Sequence, residues 1–232
     1  MPDFATIYAQ HAEQYDQLVS REDYQGNLLR AFRRIRQLPH LRVAELGAGT
    51  GRITRLLASW VRTIHACDGS AHMLAFARQR LSELAIGNVM LAVADNAALP
   101  LPNAYADLAL AGWSFGHTTT WEPNRWQVRI GAAIGEMQRV LKPGGAAIII
   151  ETLGTGRTEP APPDQALANY YRWLEQDLGW QHMWIRTDYR FHSQQEADDL
   201  TGFFFGSPAQ TYPAPGGRVT VPECTGIWWR IS

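Results

Sequence analysis

The chain has 232 residues, a length that fits one α/β domain with a substantial core. Its 21 basic and 22 acidic side chains nearly cancel, so no global field draws in nucleic acid or an anionic membrane. The two cysteines, Cys67 and Cys224, suit neither a disulfide scaffold nor a thiolate metal site.

Residues 4–38 read as two helices divided near Ser20-Arg21-Glu22, with Tyr8, Ala12, Tyr15 and Leu18 on one face of the first. The basic positions Arg30, Arg33, Arg34 and Arg36 read as a solvated helix face. A short buried strand at 42–46 enters a glycine-rich turn. A helix starts near Arg52 and carries Ile53, Leu56, Leu57 and Trp60 at helical spacing. A second apolar strand covers 61–67, and Ser70 caps a helix bearing Met73, Leu74, Ala77 and Leu81. Strand three is 89–94. Prolines make 99–103 a loop. Strand four is 106–111, ending at Gly112. The helix at 126–141 stops at Lys142-Pro143-Gly144-Gly145, and the apolar run 146–152 is strand five, covered on both faces. After a Gly/Pro-rich loop at 154–163 come a helix at 165–178, a strand at about 180–191, a helix at 193–205 and a last strand at 219–230. This alternation predicts a parallel sheet with right-handed crossovers. There is no internal repeat and no second-domain boundary. Neither a signal peptide nor an apolar run long enough to span a membrane is read, so the cytoplasm is the expected compartment.

Glu45-Leu46-Gly47-Ala48-Gly49-Thr50-Gly51 carries the most information. A strand, a glycine turn and a helix place a nucleotide-like cofactor over the strand's C-terminal end. Asp68 follows Gly47 by 21 residues, at the end of strand two, where a carboxylate accepts hydrogen bonds from ribose hydroxyls. The turn differs from a dinucleotide fingerprint, because its third glycine comes one residue early, at Gly51. Glu45 also sits beside the turn, where a carboxylate repels a pyrophosphate. It suits a cofactor with a positive end and no phosphate, such as S-adenosylmethionine (SAM).

The pattern resembles the first motif of the class I SAM-dependent methyltransferases, and later segments agree. Ala94-Asp95-Asn96 looks like that family's adenine-edge acid. Asp107 is similar to the acid entering strand four, and Arg139 to Gly145 resembles the segment before strand five. The N-terminal helices, with Ala12-x-x-Tyr15-Asp16, are similar to the cap of the small-molecule and quinone-type branch. The resemblance implies a Rossmann-like three-layer sandwich with a seven-stranded sheet, order 3-2-1-4-5-7-6, strand seven antiparallel. The cap would cover residues 1–39 and the SAM-binding core 40–232.

The resemblance implies that Glu45, Gly47, Ala48, Gly49 and Gly51 hold the methionine moiety, and Asp68 with Gly69 the ribose. Met73, Asp95 and Asn96 would meet the adenine. Gly112 and Trp113 open the loop facing the transferred methyl group, with Trp113 near the sulfonium by cation–π attraction. His117 is a candidate general base or acceptor-binding group. Tyr8, Tyr15 and Tyr189 are candidates for contact with the acceptor. No metal is expected, since no His/Cys/carboxylate cluster has ligand spacing. The loop after strand four lacks the Asn/Asp-Pro-Pro-aromatic motif of nucleic-acid amino methylation, so a small molecule is the expected acceptor. The rivals are an NAD-dependent oxidoreductase, a SAM-binding module without catalysis and an aminopropyltransferase. Oligomeric state is left open.

Overall fold

The computed structural model describes residues 4–232, so the expected cap at 1–39 is seen from Phe4 onward and Met1 to Asp3 lie outside the described residues. Five parallel strands form the centre: β1 (Arg42–Leu46), β2 (Thr63–Asp68), β3 (Val89–Val93), β4 (Ala106–Gly112) and β5 (Leu141–Thr155). With β6 (Gln181–Arg186) and β10 (Glu223–Ile231) they make a seven-stranded sheet in the order β3-β2-β1-β4-β5-β10-β6. Strand β10 runs antiparallel to both neighbours. This is the expected Rossmann-like order.

Alternation along the strands serves two cores, which is why the strands read as nearly continuous apolar runs. Ala44, Leu46, Ala109, Ala111 and Ile149 face one side. There they meet Ile130, Ala133 and Met137 of α7 (Trp126–Val140) and Tyr170 of α8 (Gln165–Arg172). Val43, Leu108, Leu110, Ile148 and Ile150 face the other side. Their partners are Leu28 and Phe32 of α3 (Asn27–Ile35), and Ile53 and Leu57 of α4 (Arg52–Ala58). Ser70 caps α5 (Ala71–Glu83) as expected, accepting from Met73 N at 3.2 Å.

The N-terminal segment differs from the expected helix pair. It holds α1 (Phe4–Gln10), α2 (Ala12–Val19) and α3, the first break falling at His11. Asp16 of α2 is buried, and its carboxylate pairs with Arg55 Nη2 at 2.8 Å and Arg80 Nε at 3.2 Å. One carboxylate thus ties the cap to α4 and α5. A short helix, α6 (Thr118–Trp121), also goes beyond the expected elements. Past α8 the helix widens into a π turn at Trp173–Asp177.

The expected strands at 180–191 and 219–230 are each two strands. Their halves β7 (Tyr189–Phe191) and β9 (Arg218–Val221) leave the main sheet and join β8 (Tyr212–Ala214) in a second sheet, order β7-β9-β8. The corners explain the split. Pro222 has no N–H to give a ladder. Beside it Glu223 N donates to Asp188 Oδ1 at 3.0 Å, and Thr187 N donates to Glu223 O at 3.0 Å. The small sheet packs with α9 (Gln194–Phe205) and Leu18 of α2 around Tyr189, Phe191, Leu200 and Val221. Among the described residues no helix is long and apolar enough to cross a membrane.

Candidate functional site

At the C-terminal edge of β1, β2 and β4, beneath α1 and α2, lies a cavity of about 730 Å³. Glu45, Gly47, Ala48, Gly49, Asp68, Gly69, Met73, Asp95, Asn96, Gly112, Trp113, His117, Tyr8 and Tyr15 all line it. Gly51 does not line it and instead starts α4 in the left-handed region at φ +82°. Tyr189 does not line it either. It is buried in the small sheet, stacked on Phe191.

The turn after β1 is set by its glycines' backbones. Gly47 and Gly49 have φ of +66° and +55°, a region that costs L-residues with side chains. A Cβ on Gly47 would lie 2.0 Å from Ser114 Oγ, so the glycine makes room for the loop after β4. A Cβ on Gly49 would make ordinary contact with Met73 Cε at 3.6 Å. The glycines are therefore required by the turn's own geometry and by Ser114, before any ligand is considered.

Asp68 closes the turn from the neighbouring strand. Its Oδ2 accepts from Gly49 N at 2.8 Å and its Oδ1 from Ser70 N at 2.7 Å. Burial raises its pKa, and those two N–H groups pull it back. Ser70 Oγ donates to Tyr8 O at 2.9 Å, tying α1 to the same corner. Glu45 is 3 % exposed and accepts from Thr54 Oγ1 at 2.6 Å. Burial pushes its carboxyl up to about 7, against the Thr54 hydrogen bonds. A cation placed beside it would reverse that shift.

Asp95 stands at the rim, where its Oδ1 accepts from Ala97 N and its Oδ2 pairs with Arg129 at 3.3 Å. Asn96 donates to Ser114 Oγ at 3.1 Å, while its buried Oδ1 has no hydrogen-bond partner among the described residues. Trp113 holds a left-handed φ of +51°. Its ring is covered on one face by the Arg52 guanidinium at 3.4 Å, a cation supplied by the protein itself.

His117 sits in an aromatic nest. Its Nε2 is 2.7 Å from the Tyr8 hydroxyl, its ring stacks on Trp121 at 5.2 Å, and Phe4 lies 5.0 Å away. Burial lowers its pKa to about 4, so the imidazole is neutral at neutral pH. Burial also lifts the Tyr8 phenol well above its usual value, with Tyr15 and Asp68 adding to the effect. In the tautomer with its proton on Nδ1, the imidazole accepts at Nε2 and the phenol donates.

Two further side chains shape the site. Glu151, in β5, is buried and accepts from Gly116 N at 2.8 Å, anchoring the loop before His117. Burial pushes its carboxyl up to about 8. It lies inside the expected strand at 146–152, where the sequence alone does not mark it as part of a site. In the sequence Arg52 marks only the start of the helix after the third glycine. Among the described residues there is no group of three or more His, Cys, Asp or Glu side chains able to hold a metal ion.

Comparison with known proteins follows the same segment. Residues 43–145 match a family described as a methyltransferase domain. An uncharacterised methyltransferase of Anoxybacillus flavithermus is 30 % identical over 110 residues, 47 % of this chain and 46 % of that protein. A ubiquinone/menaquinone biosynthesis C-methyltransferase, UbiE, of Pseudomonas syringae pv. tomato is 32 % identical over 114 residues, 47 % of this chain and 41 % of that one. The matches thus span less than half the length of these relatives. Among solved structures, YcgJ of Bacillus subtilis shares the fold with a TM-score of 0.59, at 14 % identity over 90 % of this chain and 99 % of that one. A putative S-adenosyl-L-methionine-dependent methyltransferase of Methanococcus maripaludis gives 0.55, at 16 % identity over 95 % of each chain.

Proposed function

We propose that this chain, which carries the domain of a class I SAM-dependent methyltransferase, transfers the methyl group of SAM to a small-molecule acceptor. One observation carries the reading. A single cavity brings the glycine turn, Glu45 and Asp68 together with the Tyr8–His117 pair beneath the cap.

The residues fit the cofactor. Glu45 is a buried carboxylate with no cation hydrogen-bonded to it among the described residues, suited to the ammonium. Asp68 keeps lone pairs for ribose hydroxyls beyond its two backbone donors. Asn96 Oδ1 is an acceptor on the cavity wall without a partner among the described residues. Met73 and Asp95 are proposed for the adenine. When bound, the cofactor supplies an electrophilic methyl group on a positively charged sulfur.

The chain's own residues then do three things. The aromatic wall of Tyr8, Tyr15, Phe115 and Trp121 excludes water and orients a small acceptor. Positioning dominates, because a nucleophile held roughly 3–3.5 Å from the methyl carbon is already in a near-attack pose. His117, neutral at neutral pH, is proposed to accept the acceptor's proton, or a hydrogen bond from it, at Nε2 in place of the Tyr8 hydroxyl.

The cap at 1–39 and the core at 40–232 are proposed as one functional unit acting in the cytoplasm. Nucleic acid is not proposed as acceptor, on the balanced charge and the missing Asn/Asp-Pro-Pro-aromatic motif. Calorimetric titration with SAM and with NAD tests the cofactor. Transfer of labelled methyl from SAM into a small-molecule extract by the purified chain tests catalysis. Binding of NAD in preference to SAM overturns the reading. Binding of SAM without transfer favours a non-catalytic module.

A further inference from the structure

The cavity is lined by two guanidinium groups, and they are placed differently. Arg129 stands at the rim, 42 % exposed, shared between Asp95 and Glu122. Arg52 lies in the interior, its guanidinium over the Trp113 ring and its Nη1 donating to Glu22 Oε2. Glu22 is itself held by Thr187 Oγ1 at 2.9 Å. The rest of the Arg52 guanidinium has no hydrogen-bond partner among the described residues. Trp113, the residue that carries Arg52, keeps a left-handed φ, a conformation that persists only where the surroundings enforce it.

An amino-acid group entering this cavity brings a positive and a negative charge. Glu45 answers the first. The second, a carboxylate leaving water, needs a charge-assisted donor to offset its desolvation. We propose that Arg52 receives the carboxylate of the cofactor's methionine end, and so makes the site prefer the intact amino acid over a decarboxylated cofactor. The proposal rests on the SAM reading. It also gives a reason why the chain is not an aminopropyltransferase, whose cofactor lacks that carboxylate. Glu22 and the Trp113 face hold the guanidinium still. The fork presents one edge to Glu22 and keeps the other for the ligand. Burial works against the charge on Arg52, and Glu22, Tyr15 and Tyr189 together more than offset that.

Calorimetry with three probes tests this: S-adenosylhomocysteine, its decarboxylated analogue, and 5′-methylthioadenosine, which has no amino-acid end. The wild-type chain should bind S-adenosylhomocysteine about tenfold or more tighter than the decarboxylated analogue. Arg52→Gln should erase that preference and leave 5′-methylthioadenosine within about twofold, and Arg52→Lys should restore part of it. Equal affinity of the wild-type chain for the first two probes overturns the proposal alone and needs no variant to fold. Parallel loss of all three probes in Arg52→Gln also overturns it, since Arg52 would then only support the turn. Failure of the wild-type chain to bind any probe overturns both the SAM reading and the proposal.

Discussion

The hydroxyl of Tyr8, on the first helix of the cap, lies 2.7 Å from Nε2 of His117, on the loop after β4. The pair joins the roof of the cavity to its wall. It also fixes how the imidazole behaves, because a ring buried among Tyr8, Phe4 and Trp121 resists protonation down to about pH 4.

His117→Ala should lower turnover by about 10²–10⁴-fold if the ring takes the acceptor's proton, with cofactor affinity little changed. The acid limb of the wild-type rate profile should then lie near pH 4 rather than near the ordinary histidine value of 6.5. Tyr8→Phe should raise that limb's position, since the ring loses a donor that favours its neutral form. A loss confined to acceptor KM assigns His117 to binding instead.

Glu45 yields a proton-linkage prediction. Its carboxyl, raised to about 7 by burial, is partly protonated at neutral pH before a cation arrives. A bound ammonium favours the carboxylate. SAM binding at pH 7 should therefore release a fraction of a proton, seen as a binding heat that depends on the buffer's ionisation enthalpy. Glu45→Gln should abolish that dependence. Buffer-independent heat in the wild-type chain removes Glu45 from the ammonium site.

Asp68→Ala should weaken SAM binding by about 1.5–3 kcal/mol through lost charge-assisted hydrogen bonds. It should also cost stability without cofactor, because Gly49 N and Ser70 N lose their acceptor. Titration and urea unfolding of one preparation separate the two effects. Unchanged SAM affinity in a folded variant excludes Asp68 as a ligand.

Gly47→Ala should destabilise the chain by overpacking, about 1–3 kcal/mol, on top of about 1–2 kcal/mol for an L-residue in the left-handed region. The overpacking comes from Ser114, so Gly47→Ala combined with Ser114→Gly should recover that part and keep the backbone part. A double-mutant cycle in urea measures the coupling, and strict additivity contradicts the packing account.

Glu151 contributes to pH-dependent stability. Its pKa is raised from the usual carboxylate value to about 8 on folding, so between those values the folded state binds more protons than the unfolded one. That contribution is present below the unfolded value and is lost as pH rises through about 8. The urea midpoint of the wild-type chain should drop from pH 6 to pH 8.5 by more than that of Glu151→Gln. Equal drops exclude Glu151 as a contributor.

The central sheet and the cofactor-facing turn were legible because their signals are local. Glu45, the glycines and Asp68 lie at fixed offsets from strands that read plainly as apolar runs. Arg52 was not legible as an interior cation, since Glu22 and Trp113 reach it from 30 residues before and 61 after. The split of the last two strands had one visible mark. Pro222 breaks a run that otherwise reads as a single strand, and a proline there demotes a central strand. The matching corner at Thr187-Asp188 carries neither glycine nor proline, and only the pairing with Glu223 reveals it. Tyr189 lies just past that corner, which is why a residue read as lining the cavity belongs to the small sheet.

Those two corners have a consequence for how the molecule can change. Everything from Thr187 to Pro222 hangs from adjacent points on neighbouring strands, with Arg190 N bound to Arg21 O and Arg21 paired to Glu196 at 2.6 Å. On its inner side Phe204 meets Phe4 at 5.2 Å and Tyr15 at 5.7 Å, bracing the roof from behind. The cofactor floor is built from the first half of the chain and shares no strand with this module. Exchanging residues 187–222 for a segment of different length would therefore change how α1 and α2 are braced above the cavity while leaving the register of β1, β2 and β4 untouched.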